Sequence, residues 1–163
     1  MTLRDELQKI IKGEVVDDEK TLEEYSRGYS IFEVKPRVIV FPRDEEDVKK
    51  LVTFVRKHPA KKLSITARSA GTDMSGGCLG ESIILDFSRH MNKLKELGNE
   101  LVRGEVKGYA QVQPGMYYRD FERAALKKNL FFPSYPASKD ICAMGGIVSN
   151  NAGGEKSLTF GKT

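Results

Sequence analysis

Two segments of this 163-residue chain carry almost no side-chain bulk, and they restrict its architecture more than any other feature. One reads Gly145-Gly146-Ile147-Val148-Ser149-Asn150-Asn151-Ala152-Gly153-Gly154. The other, upstream, reads Arg68-Ser69-Ala70-Gly71-Thr72-Asp73-Met74-Ser75-Gly76-Gly77. Glycine loses more backbone entropy on folding than other residues and packs poorly, so a buried helix or strand gains nothing from such runs. A main chain that must approach a ligand closely gains a good deal. The pair predicts two loops around a large, polar, phosphate-bearing ligand.

Around them the chain reads as alternating helices and strands. Thr2 to Lys12 predicts an amphipathic helix, with Leu3, Leu7, Ile10 and Ile11 on one face and Thr2 as its cap. Residues 17 to 30 are polar and read as a short helix or covering loop anchored by Tyr25 and Tyr29. Arg37–Phe41, Leu63–Ala67 and Ile83–Phe87 read as strands, with a helix from Asp44 to Lys57 between the first two. Strand, helix, strand predicts a βαβ unit. Leu101–Val106 and Tyr109–Gln113 then read as an antiparallel hairpin about Lys107-Gly108. Tyr117–Lys128 reads as a helix, and the proline-rich stretch 130–141 as irregular. The chain then stops after a loop at Gly161-Lys162-Thr163, which predicts that the fold continues beyond it.

A chain of this length supports one domain with a real core, burying roughly 70% of its unfolded surface. Lys+Arg 27 against Asp+Glu 23 leaves a net charge of +4, interleaved rather than striped, which speaks against nucleic-acid binding. Cys78 and Cys142 fit no metal spacing and read as free thiols of a reducing compartment. With two histidines and no ligand spacing, no metal site is expected. No apolar leader or membrane span is visible, so the expected location is cytoplasmic, with peripheral membrane association left open.

Successive main-chain N–H groups in a concave loop can cradle a diphosphate. Gly71, Gly76, Gly77 and Gly80 allow the approach, and Thr72 and Ser75 add hydroxyls. Ser149, Asn150 and Asn151 offer donors and acceptors that suit the mixed edge of a heterocycle. Other motifs fail. There is no GxGxxG and no GxSxG, and the would-be P-loop ending at Gly161-Lys162-Thr163 has Lys156 where glycine is required.

Four ordered pieces resemble the FAD-binding domain of the FAD-linked oxidases, the p-cresol methylhydroxylase or vanillyl-alcohol oxidase type. They are the strand, proline and acidic helix start at Val38–Val48; the loop Arg68–Gly77, similar to the family's Arg-Gly-Gly-Gly-Thr-Ser; the strand and Ser88-Arg89-His90-Met91-Asn92 turn, with a histidine inserted into the family's Arg-Met-Asn; and Pro114-Gly115 with Met144–Gly154 and Phe160-Gly161.

The resemblance implies an α+β fold, a small βαβ subdomain plus a second mixed or antiparallel sheet subdomain with flanking helices. FAD lies between them. A helical extension would occupy residues 1–34 and the FAD-binding domain residues 35–163, incomplete at its C-terminal end. The resemblance assigns the diphosphate to Ser69, Ala70, Gly71, Thr72 and Asp73. It places Pro136, Ser138, Gly145, Gly146, Ser149 and Asn150 along the flavin and ribityl chain, with Gly153, Gly154 and Gly161 completing the wall. Arg68, Ser75, Gly76, Gly77, Pro114, Gly115 and Asn151 complete the expected cofactor-binding set. Thr72 stands where covalent members carry a histidine, which implies non-covalent FAD.

The activity so implied is oxidation of a 2-hydroxy acid such as D-lactate or glycolate by hydride transfer to flavin N5. The base and any metal ligands would sit in a C-terminal cap domain or a partner subunit. Self-association also stays open. Two other readings remain at this point: an NADPH-dependent flavin reductase like the enolpyruvyl-UDP-N-acetylglucosamine reductases, whose first loop reads Gly-Ser-Asn against Gly71-Thr72-Asp73 here, and a non-catalytic α/β module.

Overall fold

Val38–Phe41 and Ile83–Asp86 are buried at every position, the pattern of strands covered on both faces. A computed structural model, which describes residues 2–103 and 105–163, builds the first body of the molecule on them. In chain order its elements are α1 (Leu3–Gln8), β1 (Glu14–Val16), α2 (Glu19–Tyr25), β2 (Val38–Phe41), α3 (Glu45–Lys57), β3 (Ile65–Arg68) and β4 (Ile83–Asp86). The second body holds β5 (Leu94–Val102), β6 (Glu105–Val112), α4 (Tyr118–Leu126), α5 (Met144–Ser149) and α6 (Ser157–Phe160).

The first sheet has the order β1-β2-β4-β3. β2, β4 and β3 run parallel, and β1 joins the edge antiparallel. The expected β2–α3–β3 unit is present, but β4 lies between its two strands. Adjacent parallel strands need a connection that carries the chain back along the sheet. Between β3 and β4 that return path is residues 69–82, without a helix. The first glycine-rich segment is therefore a crossover, launched from the end of β3 at Arg68.

Leu7, Ile11, Val15, Val38, Val40, Leu51, Ile83 and Leu85 form the core on one face of this sheet. Leu22, Ile39, Phe41 and Ile84 form the core on the other, with Tyr25 packed against them. α3 begins where Asp44 accepts the N–H of Asp47 at 3.1 Å. Asp47 is itself buried. Its carboxylate accepts the main-chain N–H groups of Lys12, Gly13 and Arg43, each at 2.9 Å, which fastens the first residues of the chain to α3. The stretch read from sequence as a helical extension thus also contributes the edge strand β1.

In the second body the β5–β6 hairpin is backed by α4 and α5. Met116, Tyr118, Phe121, Ala125, Cys142, Met144 and Ile147 are its buried core. The Tyr118 hydroxyl, carried into that core, donates to the Phe132 carbonyl at 3.1 Å.

Two sequence expectations change here. The hairpin reverses after Val102, where Arg103 takes φ +51°, and not at Lys107-Gly108. Gly104, inside the strand expected over 101–106, lies outside the described residues. Gly108 sits within β6 opposite Asn99, and a Cβ there would lie 2.9 Å from Leu130 Cδ2. Its glycine answers packing, not turning. The second glycine-rich segment is also not a loop throughout: Met144–Ser149 forms α5.

Candidate functional site

The two glycine-rich segments face one another across a cleft of about 610 Å³, a size within the range of roughly 300–1,000 Å³ usual for ligand sites. Pro114 joins their roots. Its carbonyl accepts the Gly145 N–H at 2.8 Å and the Ser69 hydroxyl at 3.1 Å. Nearer the mouth, the Asn150 side-chain amide donates to Asp73 Oδ1 at 3.2 Å.

The first segment supplies Arg68 through Asp73 and Gly77 to the cleft. Its bend is set by Gly71 at φ +68° and Gly76 at φ +83°, a region that favours glycine. Asp73 holds the bend together: Oδ2 accepts the Gly77 N–H at 2.6 Å and the Ser75 hydroxyl at 2.8 Å. No hydrogen-bond partner among the described residues meets the main-chain N–H groups of Ala70, Gly71 and Thr72. Donors left without partners beside a cleft are the property an anion cradle needs.

The opposite wall carries Pro136, Ser138, Gly145, Gly146, Ser149 and Asn150. Gly145 is pressed against Pro114 and Ser69, whereas a Cβ on Gly146 would meet nothing within 4 Å. α5 ends with Asn151 at φ +47°, its N–H donating to Val148 O at 3.1 Å and that of Ala152 to Ile147 O at 2.9 Å. That is a Schellman termination, with asparagine at its left-handed position. The Ser149 hydroxyl returns to the Gly145 carbonyl at 2.7 Å.

Not every candidate residue lines the cleft. Ser75, Gly76, Gly115, Asn151, Gly153, Gly154 and Gly161 do not line it. Gly115 is buried against the Phe87 carbonyl, and half-buried Gly154 lies close to that of Tyr135. The Gly161 carbonyl accepts the Ser134 hydroxyl at 3.2 Å. Conversely, Thr66, Met74, Cys78, Phe87, Cys142 and Ile147 line the cleft without having been singled out. They are ordinary apolar or small residues, and only Thr66 lies in a strand, so no local pattern singles them out.

Beneath the first segment lies a buried charge. Arg68 pairs in register with Asp86, donates to the Tyr25 carbonyl at 3.3 Å and stacks on the Tyr25 ring at 4.8 Å. Asp86 accepts the Ser88 N–H at 2.7 Å, the Ser88 hydroxyl at 2.6 Å and the Tyr25 hydroxyl at 3.1 Å. Burial pushes the Asp86 carboxyl above the usual carboxylate range, against the pull of those hydrogen bonds and of Arg68. Burial and the facing Asp86 charge together push the Tyr25 phenol far up. Hydrogen bonds from Ser75, Gly77 and Asn150 hold the Asp73 carboxyl below its ordinary value. Burial raises both the Cys78 and Cys142 thiols, which disfavours the nucleophilic thiolate. Among the described residues, no group of three His, Cys, Asp or Glu is placed to hold a metal ion. No helix among them is long and apolar enough to cross a membrane.

Comparison with known proteins gives a consistent result. The family model described as FAD binding domain matches residues 36–163. D-2-hydroxyglutarate dehydrogenase of Pseudomonas putida is 31% identical over 153 residues, covering 93% of this chain and 14% of that protein. Glycolate oxidase subunit GlcD of Bacillus subtilis is 31% identical over 133 residues, covering 81% of this chain and 26% of that protein. The structure of p-cresol methylhydroxylase with substrate bound superimposes with a TM-score of 0.70 at 21% identity, over 91% of this chain and 29% of that one. The chain therefore spans well under a third of each of these relatives.

Proposed function

The chain belongs to the FAD binding domain family, and from that premise we propose that it forms the cofactor-binding portion of a flavin-dependent oxidoreductase acting on a 2-hydroxy acid. One observation carries the reading: two glycine-rich segments, distant in sequence, share a single cleft, tied at Pro114 and at Asp73–Asn150. The residues present fit FAD on two counts, the unpartnered N–H groups of Ala70, Gly71 and Thr72 and the clear space over Gly146.

In this reading Ala70, Gly71 and Thr72 hold the diphosphate through main-chain N–H groups, with the Ser69 and Thr72 hydroxyls beside them. Pro136, Ser138, Gly145, Gly146 and Asn150 form the wall that receives the ring and ribityl chain. Gly153, Gly154 and Gly161 support that wall. When bound, FAD supplies an acceptor for the hydride of the substrate carbon that bears the hydroxyl. Thr72, standing where covalent members of the family place a histidine, supports a non-covalent cofactor. The protein's own contribution is to orient that cofactor and exclude water. Residues 35–163 form this cofactor-binding region and residues 1–34 its extension. The group that takes the hydroxyl proton belongs to a further domain or subunit. The 2-hydroxy acid class follows from the names of the two curated relatives.

Titration of the chain with FAD, followed by flavin fluorescence and melting temperature, tests the reading. Binding to the folded form alone raises the melting temperature by linkage. Unchanged fluorescence and melting would overturn it. In the protein that also carries the further domain or subunit, loss of flavin absorbance on anaerobic addition of D-2-hydroxyglutarate or glycolate, and not of NADPH, identifies the substrate class.

A further inference from the structure

The segment Tyr25–Phe32 precedes the region matched by the family model, yet it touches the first glycine-rich segment at three defining points. Its ends are closed on each other: Arg27 bridges Glu33 as an antiparallel pair with an ion pair at 3.1 Å, and the Val34 N–H donates to Ser26 O at 2.9 Å. At the tip, the Tyr29 N–H donates to the Gly71 carbonyl at 3.2 Å. Gly28 lies so near that a Cβ on it would stand 3.0 Å from the Gly71 carbonyl oxygen and 3.1 Å from Cys78 Sγ. The Phe32 ring covers Gly76, with Cδ2 at 2.9 Å from where a Cβ would be. Upstream, Tyr25 holds the Arg68 guanidinium by its carbonyl and its ring.

Both left-handed glycines of the segment and its leading arginine thus have a partner in this strap. The strap gains little for itself: the side chains of Tyr29, Ile31 and Phe32 are 61%, 96% and 52% exposed. Tyr29, an expected anchor of this stretch, is held through its main chain.

We infer that residues 25–32 are the outer wall of the diphosphate cradle, a positioning element that fixes the curvature of residues 70–77 before the cofactor arrives. The inference rests on reading that segment as the FAD diphosphate site. A loop already held in its bound shape loses less conformational freedom on binding, so affinity rises without a new contact to the ligand. The Gly71 carbonyl is drawn toward the strap, so the Thr72 N–H, which shares its planar trans peptide unit, points to the opposite side of the chain.

The test uses the full chain, FAD titration by flavin fluorescence, and amide hydrogen exchange of residues 70–77 without FAD. Tyr29→Pro deletes the donor to Gly71, because proline has no N–H. Gly28→Val drives a branched side chain against the Gly71 carbonyl. Each weakens FAD binding about tenfold or more and speeds exchange in residues 70–77. Tyr29→Phe, which keeps the main-chain donor, restores wild-type affinity, and Ile31→Ser on the same strap leaves it within about twofold. Wild-type affinity and exchange in both Tyr29→Pro and Gly28→Val overturn the inference. Should those two lose cooperative melting, Phe32→Ala decides in their place: it uncovers Gly76 without altering the main chain, and unchanged affinity and exchange overturn the inference equally. Failure of the wild-type chain to bind FAD overturns the proposed function instead, and the exchange measurement then still decides whether the strap holds the loop.

Discussion

In the first glycine-rich segment Gly71 and Gly76 occupy φ +68° and +83°, whereas in the second Gly145 and Gly146 lie in the opening turn of α5. The first pair supplies backbone shapes that side chains resist. The second supplies room, with Gly145 wedged against Pro114 and Ser69 and Gly146 facing open space. Similar composition therefore answers two separate demands, and each demand fails differently when a methyl group is added.

The largest expected effect comes from Gly145→Val. A Cβ there stands 2.8 Å from both Pro114 Cβ and O, and 2.9 Å from Ser69 Oγ, at the seam between the two bodies. Overpacking of this kind destabilises by about 3 kcal/mol, measurable by urea unfolding. Wild-type stability would remove the close approach as Gly145's reason. Gly71→Ala comes next. The left-handed backbone penalises a Cβ by about 1–2 kcal/mol, and the new atom would also meet Arg68 Nη2 at 2.8 Å. Thermal melting should fall while α5 stays intact.

Gly146→Ala separates protein packing from ligand contact. With nothing within 4 Å of the added methyl, the free protein has no clash to relieve. Replacing glycine inside a helix stabilises by about 0.5–1 kcal/mol. If cofactor occupies that space, FAD affinity falls in the same variant that melts higher. A rise in both would place the flavin elsewhere.

A slope with pH distinguishes the ground beneath the two segments. Asp86, paired in register with Arg68 at the root of the first, has a carboxyl raised by burial. Its folded value lies above the unfolded one, so the folded chain binds the proton more tightly. The stability it contributes is present at low pH and is lost as pH rises from the unfolded value through the folded one. Asp86→Asn removes that slope. The difference in melting temperature, wild type minus variant, should therefore fall as pH rises across that window. A difference that stays flat would show Asp86 to be well solvated.

Much of this arrangement is legible in the sequence, because the signals are local. Val38–Phe41 and Ile83–Asp86 announce buried strands by composition, and Asp44 with the stripe of α3 announces a capped helix. The order of the glycine-rich segments also points to one cleft. What escaped depends on contacts between distant residues. β4 inserts between β2 and β3, a choice of neighbour that no periodicity records. β1 is short, and its pairing with β2 is visible only once the Asp47 carboxylate gathers Lys12 and Gly13. Gly108 looked like a turn because the packing of Leu130 on β6 leaves no trace in the local sequence. Asn151 resembled a ligand donor, and its left-handed backbone at the end of α5 gives it a second purpose.

The smallest expected effect concerns the link that joins the two segments without cofactor. Asn150 Nδ2 donates to Asp73 Oδ1 at 3.2 Å, while the other Asp73 oxygen is occupied by Gly77 and Ser75. Asp73→Ala therefore disturbs the bend of the first segment as well as the link, and Asn150→Ala removes the link alone. A double-mutant cycle isolates their shared part. Water screens the pair, so the coupling should be on the order of 0.5 kcal/mol. The hydrogen bonds to Asp73 hold its carboxyl below the unfolded value. The coupling is accordingly complete above that unfolded value and is lost as pH falls through the folded one. Coupling of zero at neutral pH would leave Pro114 as the hinge between two otherwise independent walls. Coupling that grows when FAD is added would mean that the cofactor draws the link tight, and the two segments would then act as a single clasp despite their different glycines.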